Sequence, residues 1–206
     1  MPVLPDRVAR GLQAARTAIE TEAAAVSALA DRLDGVFLDV LMAVADCRGH
    51  LVVTGLGKSG LVGRKIAATL ASTGTPATFI HSGDALHGDS GAVTDRDLVL
   101  ALSASGETAE VCAFARMLRD REIPVIAMTG REESTLARLS TYTLDTMVLR
   151  EADPLNLAPT ASTTASLAMG DALACALVVL REFSQHDFAR FHPSGALGKR
   201  LLGEDG

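Results

Sequence analysis

The sequence predicts an α/β fold, a doubly wound five-stranded parallel sheet flanked by helices. Five short apolar segments alternate with longer segments in which apolar residues recur at helical spacing. Strands that alternate with helices are typical of a parallel sheet with right-handed crossovers. Polar and glycine-rich clusters follow the predicted strands, and ligands in such sheets bind at the carboxyl ends of the strands.

The predicted elements can be placed in chain order. Apolar residues three and four apart predict a helix over residues 6–34, ended by Gly35, and a second helix over 36–47. The later elements are a strand over 51–54, a helix over 59–72, a strand over 78–80, a polar loop over 81–89 with room for one helical turn, a strand over 98–102, a helix ending at 121, a strand over 124–128, a short helix over 134–139, a strand over 142–144 and a long helix over 160–183.

Length and composition predict one domain over residues 1–206, with helices in 1–48 and the sheet, flanking helices and C-terminal tail in 49–206. A net charge of −6 with mixed signs and no basic cluster argues against a nucleic-acid partner. We expect no membrane partner, because no uninterrupted apolar run would span a bilayer and no signal-peptide layout begins the chain. The three isolated cysteines, expected to be buried free thiols, fit a cytoplasmic location.

The turn after the first strand is the main candidate for ligand binding. It reads Gly55-Leu56-Gly57-Lys58-Ser59-Gly60 and opens a helix, so backbone N–H groups, a helix N-terminus and the Lys58 charge converge. A dinucleotide unit would need an acid where His81 stands, and a P-loop would need a glycine where Val52 stands. A small phosphorylated ligand remains.

A second hydroxyl-rich turn follows the strand over 98–102. Ser103, Ser105 and Thr108 lie where that strand turns into a helix, which predicts a phosphate site. We expect its second wall at the start of the long helix, from Thr160, Ser162 and Thr163. The alternative for these residues is ordinary helix N-capping.

Six motifs occur in order along the chain, over residues 55–60, 72–76, 81–89, 103–110, 158–164 and 192–198. They read Gly-x-Gly-Lys-Ser-Gly, Ser-Thr-Gly-Thr-Pro, His-x-Gly-Asp-Ala-x-His-Gly-Asp, Ser-x-Ser-Gly-Glu-Thr-x-Glu, Ala-Pro-Thr-x-Ser-Thr-Thr and His-Pro-x-Gly-Ala-Leu-Gly. Together they resemble the SIS (sugar isomerase) domain and, within it, the D-arabinose 5-phosphate isomerases, in a short form without the CBS modules that often follow.

This resemblance implies an aldose–ketose isomerase that interconverts D-ribulose 5-phosphate and D-arabinose 5-phosphate through an enediol. The product would supply 3-deoxy-D-manno-octulosonate (Kdo) biosynthesis for lipopolysaccharide or capsule. The resemblance further implies a homotetramer with active sites shared between subunits and no required cofactor. Some relatives bind an inhibitory zinc through the histidine that matches His81.

The resemblance also implies the site residues. The catalytic set is Lys58, Glu110, Glu151 and His192. Substrate-binding residues are Gly57, Ser59, Gly74, Thr75, His87, Ser103, Ser105, Gly106, Glu107, Thr108, Thr160, Ser162 and Thr163.

Roles within the catalytic set follow from the reaction, which needs a base beside C1 and C2 and a donor to the developing oxyanion. We expect a glutamate as the base, with Glu151 ahead of Glu110, and Lys58 at the oxyanion. Glu110 lies one helical turn from Glu107 and would share its face. His192 would open the sugar ring or carry a proton, from a neighbouring subunit. The alternatives are first-turn helix acids, a loop acid at the surface, a Lys58 ion pair and a solvated histidine.

Two rival functions stay open at this point. One is a sugar-phosphate sensor that binds without turnover, although no helix-turn-helix or basic segment accompanies the domain. The other is an isomerase of a different sugar phosphate, such as a hexulose 6-phosphate, which sequence distinguishes poorly.

Overall fold

Five parallel strands form one sheet at the centre of the protein. The structure, a computed structural model, describes residues 5–192. The strands are β1 (Leu51–Gly55), β2 (Ala77–His81), β3 (Leu98–Leu102), β4 (Val125–Thr129) and β5 (Tyr142–Asp145). Their order across the sheet is β2-β1-β3-β4-β5, and every neighbouring pair is parallel. The predicted fold class is therefore confirmed.

Eight α-helices surround the sheet within residues 5–192. They are α1 (Pro5–Ser27), α2 (Gly35–Ala45), α3 (Gly57–Ser72), α4 (Ser82–Ala85), α5 (Ala109–Asp120), α6 (Thr135–Leu139), α7 (Ala161–Leu180) and α8 (Gln185–Phe191). Short 3-10 turns cover Ala30–Arg32 and Asp89–Ala92.

The first predicted helix is too long, because the sequence does not reveal which residue caps the next one. The helix ends at Ser27, not at 34. Asp34 is instead the N-cap of α2, where its Oδ1 accepts hydrogen bonds from the N–H groups of Val36 and Phe37 at 2.9 and 3.2 Å. Gly35 therefore begins α2 and does not end α1.

Helix α8 was not predicted, and the expectation for the cysteines was only partly right. Ser184 and Asp187 form a capping box at the start of α8, a short-range signal that could have revealed it. Cys112 is buried as expected, but Cys47 is half-buried and Cys175 is exposed.

The two faces of the sheet carry separate cores. Helices α2, α3 and α7 pack on one face, where buried residues such as Val53, Ile66 and Leu173 meet. Helices α5 and α6 pack on the other, around Val52 and Phe114. Successive side chains of β1 therefore point into opposite cores, because side chains alternate between the two faces of a strand. All five β1 residues are buried.

Helix α7 is long and apolar enough to cross a membrane by length and composition alone, and 39% of its apolar window is buried against the rest of this fold. It runs alongside α3: Lys65 and Asp171 pair across the two helices at 2.6 Å, and a β-carbon on Gly170 would lie 2.5 Å from Ile66. Near their C-terminal ends, Gly74 meets the ring of Phe183. The two helices are therefore parallel, so the start of α7 faces the same edge of the sheet as the start of α3.

Candidate functional site

The strand order creates a crevice between the carboxyl ends of β1 and β3. After β1 the chain enters α3 on one face of the sheet, and after β3 it enters α5 on the other face. The direction in which successive strands are added to the sheet therefore reverses between β1 and β3. Ligands of doubly wound sheets bind at such a switch point. Gly55 and Leu102 are register partners, so the loops that follow them begin side by side. Lys58 and Ser105 consequently lie at the same edge of the sheet.

The glycine loop (residues 55–60) forms one wall of this crevice. Gly57 has φ +56°, a conformation that glycine adopts without strain, and it begins α3. No described side chain caps α3, so its first N–H groups are available to an anion. Lys58 is exposed and Ser59 half-buried beside them. A β-carbon on Gly60 would lie 3.0 Å from the carbonyl oxygen of Gly55, so the loop is tightly closed.

The hydroxyl loop (residues 103–108) forms the opposite wall. Ser103 is 2 % exposed, and its Oγ lies 2.9 Å from Oγ1 of Thr108 and accepts a 3.1 Å bond from Gly106 N–H. Gly106 has φ +65°, and a β-carbon there would lie 2.1 Å from Oγ of Ser134. Ser103 and Gly106 therefore shape the loop from within, whereas the exposed Ser105 faces solvent.

Helix α5 begins directly after the hydroxyl loop and has an open N-terminus. Thr108 is its N-cap residue but makes no side-chain capping bond to the helix. Glu110, in the first turn, is half-buried and forms no side-chain hydrogen bond or ion pair with the described residues. The open helix start suits a phosphate, and the unpaired carboxylate nearby is available for proton transfer.

Glu151 has a different environment, because its carboxylate caps α7. Oε2 accepts bonds from the N–H groups of Thr160 and Ser162 at 2.8 and 3.1 Å and from Thr160 Oγ1 at 3.2 Å. Oε1 accepts a bond from Ser162 Oγ. Thr163 Oγ1 donates to the Thr160 carbonyl at 2.8 Å. All three predicted hydroxyls of the second wall are thus engaged within the protein, and Glu151 is the anion at this helix start.

These bonds set the ionisation of Glu151. Burial acts to raise the pKa of its carboxyl, but the hydrogen bonds from Ser162 and Thr160 outweigh burial and hold the pKa below its usual value of 4.5. A carboxylate with a lowered pKa and four donors is a weak base.

Glu151→Gln is expected to destabilise the protein by about 1 kcal/mol at pH 7, as loss of a helix cap does. Because the folded-state pKa is lowered, the contribution of the charge is present above the unfolded pKa near 4.5 and is lost as pH falls through the folded pKa. Urea unfolding at pH 7 and at lower pH should therefore show the difference from wild type shrinking below 4.5. The exposed Glu132→Gln is the control, and a difference that stays constant would contradict this assignment.

Glu107 does not share a helical face with Glu110, which corrects the prediction. It precedes α5, whose first residue is Ala109, and its Oε1 accepts a 2.9 Å bond from Thr135 N–H at the start of α6. The residue is exposed, but its carboxylate is engaged with α6.

The loop after β2 carries the two predicted histidines. His81 ends β2, and its Nδ1 lies 3.7 Å from Oδ1 of Asp84 and lacks a hydrogen-bond partner among the described residues. His87 is exposed in the loop after α4. Within residues 5–192 no group of three or more His, Cys, Asp or Glu side chains could hold a metal ion. His81, Lys58 and Arg64 line a cavity of about 450 Å³ between α3 and β2.

Three predicted site residues lie at the other edge of the sheet in the same chain. Gly74 and Thr75 precede β2, next to its amino end, and Gly74 packs on Phe183. Phe183 stacks on Phe191 with ring centroids 5.9 Å apart, which places α8 at this edge. His192 follows α8 as its C-cap residue, with Nδ1 2.9 Å from the carbonyl oxygen of Phe188. The rest of the His192 motif, residues 193–198, lies outside the described residues.

Sequence reasoning missed the residues that support these loops. Ser82 is fully buried, and its Oγ lies 2.9 Å from Oγ1 of Thr54, so it joins the loop after β2 to the end of β1. Ser134, 3 % exposed, packs on Gly106 and caps α6 through a 3.3 Å bond from Ala137 N–H. Each is a small polar residue next to a glycine motif or a helix start, and this position was the sequence signal that could have identified it as a supporting residue.

Comparison with known proteins agrees with this architecture. The family model for the SIS domain matches residues 44–176. The chain is 56% identical over 156 residues to arabinose 5-phosphate isomerase KdsD of Escherichia coli O157:H7, covering 76% of this chain and 48% of that protein. It is 50% identical over 191 residues to KdsD of Pseudomonas aeruginosa PAO1, covering 93% and 59%.

The chain belongs to the SIS domain family. A solved structure of c3406 from E. coli CFT073, in complex with A5P, superposes with a TM-score of 0.85 at 38% identity, covering 90% of this chain and 98% of that one. This chain spans about half the length of the curated relatives it matches. Its SIS domain match runs from the end of α2 into α7, so it includes both loops of the crevice and excludes α1, α8 and His192.

Proposed function

We propose that this SIS domain interconverts D-ribulose 5-phosphate and D-arabinose 5-phosphate through an enediol. The observation that carries the proposal is the pairing of Gly55 with Leu102, which starts the glycine loop and the hydroxyl loop side by side at the switch point. One loop supplies Lys58, and the other supplies Ser105 and the open start of α5. The names of the relatives and the A5P complex of c3406 support a pentose phosphate as ligand.

The start of α5 is the better place for the phosphate of the sugar. Its N-terminal N–H groups are uncapped by described side chains, and Ser105 is exposed next to them. At the start of α7 the N–H groups of Thr160 and Ser162 already donate to the Glu151 carboxylate, so these donors are not free for a phosphate. We therefore assign the phosphate to α5 and the hydroxyl loop, and we assign Thr160, Ser162 and Thr163 to the support of Glu151.

With the phosphate at α5, the other end of the pentose points into the crevice towards Lys58. The base removes a proton from C1 of the ketose, and the C2 oxygen develops negative charge that the Lys58 ammonium stabilises. The proton of the C1 hydroxyl passes to the C2 oxygen, and the base, after exchanging its proton with solvent, delivers a proton to C2 to complete the aldose. Glu110 is our candidate for the base, because it lies in the first turn of α5 and has no partner among residues 5–192. We therefore propose Glu110 in place of Glu151 as the base, because the carboxylate of Glu151 is already engaged by the start of α7.

The chemistry requires no cofactor, because the lysine stabilises the enediolate charge that a metal would otherwise stabilise. Exhaustive treatment with EDTA is therefore expected to leave the turnover of D-ribulose 5-phosphate unchanged, as measured against an untreated sample. Added Zn²⁺ is expected to inhibit through His81, and His81→Ala should weaken that inhibition. Loss of activity on chelation, restored by a divalent metal, would contradict this part of the proposal.

A homotetramer with shared active sites would bring the separated residues together. His192, Gly74 and Thr75 lie at the amino edge of the sheet, so they could reach a sugar at the carboxyl edge only from another copy. Apolar surface is available for assembly: on α1, Val8, Leu12 and Ile19 are exposed at a spacing of four and seven, and Leu149 is 95 % exposed after β5. A single chain rarely leaves such surface uncovered.

Shared sites predict that two inactive variants complement each other. Lys58→Met and His192→Ala should each be inactive alone. Refolded together in equal amounts, they should recover about a quarter of the wild-type activity, because random assembly pairs two intact contributions in that fraction of sites. The control is the same mixture without refolding. No recovery in mixed oligomers would show that Lys58 and His192 do not act in a common site.

The proposed substrate also indicates the cellular location and the pathway of the reaction. A sugar phosphate does not cross a bilayer unaided, so we place the protein in the cytoplasm. The product would supply Kdo biosynthesis for lipopolysaccharide or capsule.

The proposed reaction can be tested directly. D-Ribulose 5-phosphate incubated with the protein should yield an aldose phosphate with the NMR signals of D-arabinose 5-phosphate, and a hexulose 6-phosphate should be turned over far more slowly. Binding of both sugars without turnover of either would instead support a sensor.

A further inference from the structure

Glu107 belongs to the contact between the hydroxyl loop and α6. Its Oε1 accepts the 2.9 Å bond from Thr135 N–H, the first residue of α6. That N–H group and the Thr135 hydroxyl, with smaller effects from the charges of Arg138 and Arg131, hold the pKa of Glu107 below its usual value of 4.5. The carboxylate is therefore ionised at neutral pH while it faces a helix start.

Three further contacts join the same two segments. Leu136 N–H donates to the Gly106 carbonyl at 3.0 Å, and Gly130 N–H donates to the Ala104 carbonyl at 3.1 Å. Gly106 also packs so closely on Ser134 that any side chain at this position would collide with it. The hydroxyl loop thus rests on the segment between β4 and α6, and Glu107 supplies the only charged side chain among these contacts.

We infer that Glu107 is a positioning residue, which anchors the hydroxyl loop to α6 and so fixes the loop in the shape that binds the substrate phosphate. A carboxylate in contact with a phosphate would repel it, whereas a carboxylate that caps α6 avoids this repulsion. This assignment replaces the prediction that Glu107 touches the substrate. It rests on the proposed function only for the identity of the substrate.

Substitutions of Glu107 should change affinity more than turnover. In Glu107→Ala, KM for D-ribulose 5-phosphate is expected to rise roughly tenfold, with kcat reduced less than about threefold. Glu107→Gln keeps an oxygen that can accept the Thr135 N–H, and it should restore most of the lost affinity. The matched control is Glu132→Ala, which removes an exposed carboxylate from the neighbouring turn and should leave KM unchanged.

Thr135→Pro tests the same contact from the other side. Proline is favoured at the first position of a helix, and Ser134 before it has the extended conformation, φ −71° and ψ 165°, that a following proline requires. The substitution removes the donor N–H and keeps the helix start. It should raise KM as Glu107→Ala does, and the double variant should be no worse than either single one. Thr135→Ala keeps the N–H and removes the hydroxyl, which also interacts with Glu107, so it should raise KM less than Thr135→Pro does.

Two measurements on the full chain do not depend on turnover. Amide hydrogen exchange over residues 105–110 should be faster in Glu107→Ala and in Thr135→Pro, and calorimetry should show weaker binding of inorganic phosphate. The inference is overturned if Glu107→Gln is as impaired as Glu107→Ala, or if Thr135→Pro changes neither exchange nor phosphate binding. A wild-type protein that does not convert D-ribulose 5-phosphate would refute the proposed function, and hydrogen exchange would still decide the role of Glu107.

Discussion

Lys58→Met is expected to lower kcat/KM for D-ribulose 5-phosphate about 10³-fold, because it removes the one lysine that residues 5–192 place at the crevice from beside the developing enediolate. Lys58 is exposed, so the free energy of unfolding should change by less than about 0.5 kcal/mol. Steady-state kinetics and urea unfolding of the same preparations measure both effects.

Two matched variants test whether activity depends on the position of this positive charge or only on the presence of a charge. Lys58→Arg keeps a positive charge but places a broader group there, and it should retain only part of the activity. Lys65→Met removes the next lysine along α3, whose partner is Asp171, and it should affect stability more than catalysis. Turnover in Lys58→Met within about tenfold of wild type would mean that another group stabilises the oxyanion.

Glu110→Gln is expected to lower kcat about 10³-fold with little change in KM, because the amide cannot accept the proton from C1. The residue is half-buried in the first turn of α5, and it has no partner among the described residues that the substitution would disrupt.

The kcat of Glu110→Gln should be compared with that of two other variants. One is Glu151→Gln, and the other changes a carboxylate at the far end of α5. Asp120→Asn changes an exposed acid at the last position of α5 and should leave kcat unchanged. Glu151→Gln should lose stability and part of its activity through the start of α7. If a folded Glu151→Gln protein were inactive while Glu110→Gln kept more than about a tenth of wild-type kcat, Glu151 would be the base.

The sheet and the two loops of the crevice could be predicted from the sequence because their signals are local. The buried run before Gly55 and the hydroxyl-rich run after Leu102 each mark the carboxyl end of a strand. The end of α1 could not be predicted in the same way, because the Ala-rich pattern continues past Ser27 and only the capping bonds of Asp34 reveal the start of α2.

The use of the carboxylates could not be predicted, because it depends on contacts between distant segments. Glu151 and Ser162 are eleven residues apart, and Glu107 and Thr135 are twenty-eight apart. The sequence places Glu107 just before a helix and Glu151 in the loop after β5, but it does not reveal which helix each carboxylate caps. The position of His192 is a similar case, since only the stacking of Phe183 on Phe191 places α8 at the amino edge.

Conversion of D-ribulose 5-phosphate in D₂O, followed by ¹H and ¹³C NMR, tests the central claim most directly. If the two loops hold the sugar so that a carboxylate moves a proton through an enediol, the D-arabinose 5-phosphate formed should carry deuterium at C2, and Glu110→Gln should form it about 10³-fold more slowly. Product that retained only protium at C2 at early turnover, or a sugar phosphate that bound and was never converted, would contradict the account.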